Sequence, residues 1–389
     1  MIQELCTAEY RCPGETYGIP RAVHLGRLAN FQPACRECPH RGDTLGLSSR
    51  QIRQLAEIGS RAEQPPLFYA EGIGKTAISD LSPEVARRIA IEFARRIVRD
   101  RLPATAVVAG DGRLATAAIV AAIVEGIRWA GCEAVDIGPA SAPCTARAIE
   151  HLTAGGGILV GNPDGEPHRV GLKFWAHGAP LSQGGLLNDI AASLPSGGDG
   201  AMLDRPRRTF GRLQTFPAAD LYLSDLRTAY HALRPLRFVL DCSAGPILAY
   251  LKELIRNVAC RIIACKSSRL GAQVVAAQAH LGMRIDDDGE NCHVVDERGQ
   301  SVEAEQLLAL IAGNFSGPPM QSEELRQQTF LRMLESRAAL ALGAAGRLWY
   351  AGGHAPFPDA LRTLTYLLVL LSRNDLAFSA VLDRKGSAL

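Results

Sequence analysis

The chain has 389 residues, of which 47% are hydrophobic and 21% charged, the balance of a globular protein with about two to four domains. Its net charge is only +2, which gives no reason to expect nucleic acid or an anionic membrane as a partner. Met1-Ile2-Gln3-Glu4-Leu5-Cys6 lacks a basic segment followed by an apolar run, and the longest apolar run, Ala117 to Val124, is far too short to span a bilayer. The expected compartment is therefore the cytoplasm, where the ten cysteines favour metal ligation or burial over disulfides.

The first 62 residues differ from the rest. They hold four cysteines, many turn residues and little periodicity, and Glu63-Gln64-Pro65-Pro66 reads as their exit linker. Ser82-Pro83-Glu84 then opens a helix, with Ser as N-cap and Pro at the first helical position. Val85, Ile89, Phe93 and Ile97 form its apolar stripe. Strand Ala104–Ala109, helix Ala115–Ala130, strand Ala134–Ile137, helix Thr145–Leu152 and strand Ile158–Val160 follow. This alternation predicts a mostly parallel α/β layer.

A Gly/Pro-rich linker, Pro195 to Pro206, separates a second set. It comprises helix Ala218–Leu233, strand Phe238–Asp241, helix Pro246–Arg256 and strand Arg261–Ala264. Val107 to Asp111 with the strand near Val135 echoes Phe238 to Cys242 with the strand near Ile262, which predicts tandem domains of similar topology. A third unit begins near Gly317, with helix Glu323–Glu335, strand Arg347–Tyr350 and helix Pro358–Leu371.

Three patterns carry chemistry. In Ile285-Asp286-Asp287-Asp288-Gly289-Glu290, alternate residues of an extended loop share a side, so Asp286, Asp288 and Glu290 can converge on one hard cation such as Mg²⁺. A solvated acidic turn is the rival reading. An EF-hand is excluded, because Gly289 comes too early and no acid follows at the required distance. In the head, Cys6, Cys12 and the Cys35-Arg36-Glu37-Cys38 knuckle fit a closed tetrahedral zinc site, with His24 or His40 as substitute ligands. An Fe–S cluster or free thiols are the alternatives. The remaining cysteines lie in or beside apolar segments, where burial is the default.

The third pattern is a strand, Gly155-Gly156-Gly157-Ile158-Leu159-Val160, feeding the loop Gly161-Asn162-Pro163-Asp164-Gly165-Glu166-Pro167-His168 and then Gly171-Leu172-Lys173-Phe174-Trp175. This layout resembles the catalytic loop of the phosphoglucomutase/phosphomannomutase (α-D-phosphohexomutase) family. That loop reads roughly Thr-Ala-Ser-His-Asn-Pro-Pro-Glu-Tyr-Asn before Gly-Leu/Ile-Lys, and its Ser carries the phosphoryl group. Counting back from Gly171 places that Ser at Pro163, which has no hydroxyl. Asp164 is the only neighbouring carboxylate that can stand in as a nucleophile.

The resemblance extends from about Ala70 to Leu382 and implies tandem three-layer α/β/α domains with mixed, mostly parallel sheets. The implied boundaries are 1–62 for the Cys-rich module, 63–205 and 206–314 for domains I and II, and 315–389 for a shortened domain III. The family's Asp-Gly-Asp-x-Asp-Arg metal loop falls on Asp286, Asp288, Glu290 and Asn291, so the Arg is lost and a weakened Mg²⁺ site is implied. Asp111 and Arg113 match its Gly-Arg-Asp-Thr-Arg, Lys173 its Gly-Leu-Lys, and His354 the end of its sugar-reading loop, which implies substrate contacts at these four positions. The sugar-binding Glu and Ser fall on Tyr350 and Gly352, and no Arg- and Ser/Thr-rich segment of a fourth domain is found between Asp375 and Leu389. The implied function is a catalytically impaired phosphosugar-binding or scaffold protein. Its partners are a phosphosugar and a protein docked on the Cys-rich module. The alternative is an active intramolecular phosphotransferase of carbohydrate metabolism.

Overall fold

In the N-terminal head, helices α1 (Arg21–Ala29) and α2 (Ser49–Gly59) bury Leu28 and Leu55 against Cys35. The structure is a computed structural model, and it describes residues 10–13, 16–30, 32, 35, 38–59, 68–69, 71–77, 81–161, 169–193, 210–265, 269–352 and 354–386. Tyr10 organises the rest of the head. Its ring stacks on His24 at 4.1 Å, meets His40 edge-on at 5.3 Å, and its hydroxyl donates to Asp43. Both expected linkers, 63–66 and 195–206, lie outside the described residues.

The first α/β unit runs β1 (Phe68–Tyr69), β2 (Gly72–Ala77), α3 (Pro83–Arg99), β3 (Thr105–Gly110), α4 (Leu114–Trp129), β4 (Glu133–Pro139), α5 (Ala142–His151), β5 (Gly156–Gly161), β6 (Arg169–Ala176), β7 (Ala179–Pro180), α6 (Gly185–Ser193) and β8 (Leu213–Thr215). Its sheet order is β1-β2-β6-β5-β3-β4-β8, with β7 on β6. The strands β5, β3, β4 and β8 are parallel, and β6 is antiparallel to both its neighbours. Ser82 caps α3 by accepting the Val85 N–H at 3.2 Å, and Ile89, Phe93 and Ile97 are buried as the stripe requires. Helix α5 starts three residues before the expected Thr145, because Ser141 accepts the Cys144 N–H and Pro143 fits the first turn. Strand β8 lies beyond residue 205, so the first sheet recruits chain from after the expected boundary.

The second unit runs α7 (Ala218–Arg227), β9 (Arg237–Asp241), α8 (Gly245–Ile255), β10 (Arg261–Ala264), α9 (Leu270–Ala276), β11 (Leu281–Ile285), β12 (Cys292–Asp296), β13 (Ser301–Val302) and α10 (Ala304–Ala312). Its sheet order is β10-β9-β11-β12-β13. Helix α7 stops at Arg227 rather than Leu233. Beyond it the N–H groups of Ala229 and Tyr230 bond three residues back, and the Tyr230 hydroxyl lies 3.1 Å from Thr365 Oγ1. A buried tertiary contact thus overrides helix propensity.

The third unit runs β14 (Met320–Gln321), α11 (Arg326–Ser336), β15 (Leu340–Gly343), a 3₁₀ turn at Ala344–Gly346, β16 (Arg347–Tyr350), β17 (Phe357–Pro358), α12 (Ala360–Ser372) and α13 (Phe378–Gly386). Its sheet order is β14-β15-β16-β17.

The tandem echo is visible in the pairing. The orders β4-β3-β5-β6 and β10-β9-β11-β12 match, each with two parallel pairs and then an antiparallel one. The third sheet repeats the parallel-then-antiparallel step at β14-β15-β16. The segments 286–291 and 344–346 are therefore equivalent hairpin connections in the second and third units. One apolar cluster runs through all three, taking in Leu159 and Trp175, then Phe238 and Leu281, then Leu342 and Leu364. The other face of the first sheet packs Phe174 and Ile158 under Phe93.

Candidate functional site

Side chains alternate across a strand, so Phe174 and Leu172 enter the core under α3 while Lys173 and Trp175 face the second unit. Lys173 is 3% exposed. A buried ammonium is stable only when paired and hydrogen-bonded. It donates to Asp288 and, at 2.9 Å, to Glu290 Oε2, both on the β11–β12 connection.

That connection closes on its own acids. Gly289 at φ +81° makes the turn, and a Cβ there would lie 3.2 Å from Ile247 and Ser141. Asp286 accepts the N–H groups of Gly289 and Asn291, at 2.9 and 3.0 Å, and Asp288 Oδ1 accepts the Glu290 N–H at 3.2 Å. Asp288 and Glu290 are 5% and 2% exposed.

Two cations from the third unit complete the group. Arg326, the first residue of α11, donates to Glu290 Oε1 and lies over the Trp175 ring at 5.5 Å. A cation at a helix N-terminus is unfavourable with respect to the helix dipole, and Glu290 compensates it. Arg347, the first residue of β16, grips Glu71 with both terminal nitrogens, at 2.5 and 2.9 Å, and its Nε lies 3.7 Å from Glu290 Oε2. Three cations and four acids, Glu71, Asp286, Asp288 and Glu290, thus meet where the three units join.

The charges set one another's protonation. Burial opposes charge on Lys173, but Asp288 and then Glu290 outweigh it and raise its pKa above the ordinary lysine value. Burial likewise pushes Asp288 upward, yet the Lys173 ammonium holds it well below the usual carboxylate range. Asp286 goes the other way, pushed well up by burial first and by the Asp288 charge second. Glu71 is raised by burial but ends below its ordinary value, because Arg326, Lys173 and Arg347 all face it.

Beside this group a cavity of about 340 Å³ opens, lined among others by Ser243, Arg284, Asp287, Asn291 and His293. Its size falls in the range of small-molecule pockets. Arg284 is tied to Asp241 at 2.7 Å, and Ser243 donates to Asp287 at 2.5 Å.

The other expected residues lie elsewhere. Asp111 and Arg113 pair with each other at 2.5 Å in the β3–α4 turn, where Asp111 also accepts the Arg113 N–H and the Thr116 hydroxyl. His354 sits 3.7 Å from both Glu150 and Asp225, joining helices α5 and α7. Asn291, where the resemblance implied an Arg, donates to the Ala345 carbonyl at 2.9 Å and so ties two equivalent connections together. Pro163 and Asp164 lie outside the described residues, as does Cys6. Cys12, Cys35 and Cys38 are buried, and burial first, then the other two sulfurs, push the Cys35 thiol to about 11. Arg27 donates to Cys12 Sγ at 2.9 Å. Among the described residues no group of three or more His, Cys, Asp or Glu side chains is arranged to hold a metal ion, and no helix is long and apolar enough to cross a membrane.

Sequence reasoning singled out Lys173 as a substrate contact and Asp286, Asp288 and Glu290 as metal ligands, and did not single out Glu71, Arg326 or Arg347, which the structure brings to the same group. The available signal was a lysine in the otherwise apolar run Val170 to Trp175, which demands buried acids. Nothing local marked the arginines.

Comparison with known proteins agrees with this architecture. Residues 65–194 match the family model for the phosphoglucomutase/phosphomannomutase alpha/beta/alpha domain I. The phosphoglucosamine mutase of Symbiobacterium thermophilum is 28% identical over 272 residues, covering 64% of this chain and 60% of the relative. That of Corynebacterium jeikeium is 26% identical over 304 residues, covering 71% and 65%. The chain thus spans 60–65% of the length of these curated relatives. Among solved structures, a phosphoglucomutase/phosphomannomutase family protein from Burkholderia thailandensis superposes with a TM-score of 0.70 at 22% identity, covering 82% of this chain and 79% of that one. A putative phosphomannomutase from Thermus thermophilus gives 0.69 at 18% identity, covering 83% and 84%. These two likenesses concern the fold.

Proposed function

This chain belongs to the phosphohexomutase family, and we propose that it is a member that holds a phosphosugar without turning it over. The observation that carries this reading is Pro163 at the position counted for the family's phosphorylated Ser. The frame of that count is the β5–β6 pair, in register from Gly156 with Ala176 to Gly161 with Gly171. Without a hydroxyl at that position, no phosphoenzyme forms there. Phosphoryl transfer rests almost wholly on positioning and charge stabilisation, so this loss and the replacement of an Arg by Asn291 act on the same step. Binding is separable from transfer. The 340 Å³ cavity offers Ser243, Arg284, Asn291 and His293 to hydroxyl and phosphate oxygens. The relatives are named for phosphoglucosamine, so glucosamine phosphates are the first ligands to try.

The test is a coupled isomerisation assay with glucosamine, glucose and mannose phosphates, with Mg²⁺ and a bisphosphate activator, on the native chain and on Pro163→Ser. The native chain is expected to be silent while its melting temperature rises with a sugar phosphate. Turnover by the native chain would overturn the proposal and make Asp164 the next candidate nucleophile.

A zinc knuckle is proposed for the head from the spacing of Cys6, Cys12, Cys35 and Cys38 alone. It would hold together a segment with a core too small to fold alone. Docking of a partner protein on this head is part of the same proposal.

A further inference from the structure

The family resemblance assigns the 286–290 connection to Mg²⁺, but its donors are already taken. Both Asp286 oxygens accept backbone N–H groups. Glu290 Oε1 accepts from Arg326 and Oε2 from Lys173. Asp288 has one oxygen on Lys173 and the other on the Glu290 N–H. Among the described residues, the buried atoms left without a hydrogen-bond partner here are donors, namely Arg326 Nε and Nη1 and Arg347 Nε, and no oxygen of Glu71, Asp286, Asp288 or Glu290 is among them. A site awaiting a cation leaves acceptors unsatisfied; this one leaves donors unsatisfied. Formal charge agrees. Lys173, Arg326 and Arg347 already offset three of the four acids Glu71, Asp286, Asp288 and Glu290, so a divalent ion would bring more positive charge than the one acid left over can compensate. Mg²⁺ also demands six oxygens in octahedral array and usually keeps several waters. Asp288 and Glu290, at 5% and 2% exposure, leave little room for them.

We propose that the Lys173 ammonium, supported by Arg326 and Arg347, occupies the place of the divalent cation on Asp288 and Glu290. The acidic connection is then closed to Mg²⁺ and acts as an internal electrostatic clasp across the three units. The residues thus do not fit the metal that the family implies. The inference rests on reading 286–290 as the family's metal connection, yet it is decided by metal uptake rather than by turnover. A silent protein that binds Mn²⁺ here would sink this inference and leave the previous proposal standing. An active protein that takes up no Mn²⁺ would do the reverse.

The experiment uses Mn²⁺ as an EPR-visible probe on the full chain, beside thermal melts with and without about 10 mM Mg²⁺. The native chain is expected to take up no Mn²⁺ at millimolar concentration and to melt at the same temperature with and without Mg²⁺. Lys173→Ala is expected to melt about 10 °C lower, to bind Mn²⁺, and to recover part of the loss in Mg²⁺. Mn²⁺ uptake by the native chain that Asp288→Asn abolishes would overturn the proposal, as would a folded Lys173→Ala that binds none. Should Lys173→Ala fail to fold, the native chain against Asp288→Asn decides by itself.

Discussion

Replacing Glu290 by Gln keeps the side-chain volume and removes one charge from a group with almost no access to water. Glu290 faces Lys173 at 2.9 Å, Arg326 in direct contact and Arg347 at 3.7 Å, so the change takes from all three cations the one acid they share. Removing one partner from a buried ion pair costs about 3–5 kcal/mol, because the remaining charge stays buried without compensation. At about 2–4 °C per kcal/mol the melting temperature falls by roughly 10 °C. Combining it with Lys173→Met removes one of the cations left without that partner. The double variant should therefore be more stable than the sum of the single losses by about 1–3 kcal/mol. Urea unfolding followed by far-UV circular dichroism measures all four corners of the cycle. A Glu290→Gln cost below about 0.5 kcal/mol, or losses additive to within about 0.5 kcal/mol, would refute the claim that these charges are buried and coupled.

Three further outcomes are expected. Gly156→Ala should cost about 1–3 kcal/mol in the same urea assay, because its Cβ would lie 2.4 Å from the Trp175 carbonyl oxygen and 2.8 Å from Phe93. Gly161→Ala, with nothing within 4 Å, is the control, and equal costs at both positions would contradict the packing argument. Glu71 is held below its ordinary value, so its contribution to stability is present above about pH 4.3 and is lost as pH falls through the lower folded-state value. Glu71→Gln should flatten the stability profile across that acid range, and identical slopes for the two proteins would sink the assignment. For the head, elemental analysis of protein purified without chelator should find about one zinc per chain, lost in Cys35→Ser; metal-free native protein that is fully folded would remove the zinc proposal.

Much of the fold was legible because it is written locally. The Ser82-Pro83-Glu84 start and the stripe through Ile89, Phe93 and Ile97 specify α3 without reference to the rest of the chain. The paired strand–helix–strand pattern announced the repeat that β4-β3-β5-β6 and β10-β9-β11-β12 display. Pro163 is likewise a fact of the sequence, since the absence of a hydroxyl needs no structure to establish it. Where the reading missed, a distant partner had intervened. Tyr230 leaves helical register and meets Thr365, 135 residues away, and β8 joins a sheet whose other strands lie before the expected boundary. The meaning of the acidic connection was of the same kind. The sequence supplied Asp286, Asp288 and Glu290 at alternate positions, a spacing that suits a metal and a solvated turn equally well. Only the packing of β6 against the second unit, and of α11 and β16 against both, brings Lys173, Arg326 and Arg347 onto those acids. Local sequence determines which charges a strand or connection carries, and tertiary structure decides which charges share a dry interior, where Coulomb interactions are strong enough to settle what the site can hold.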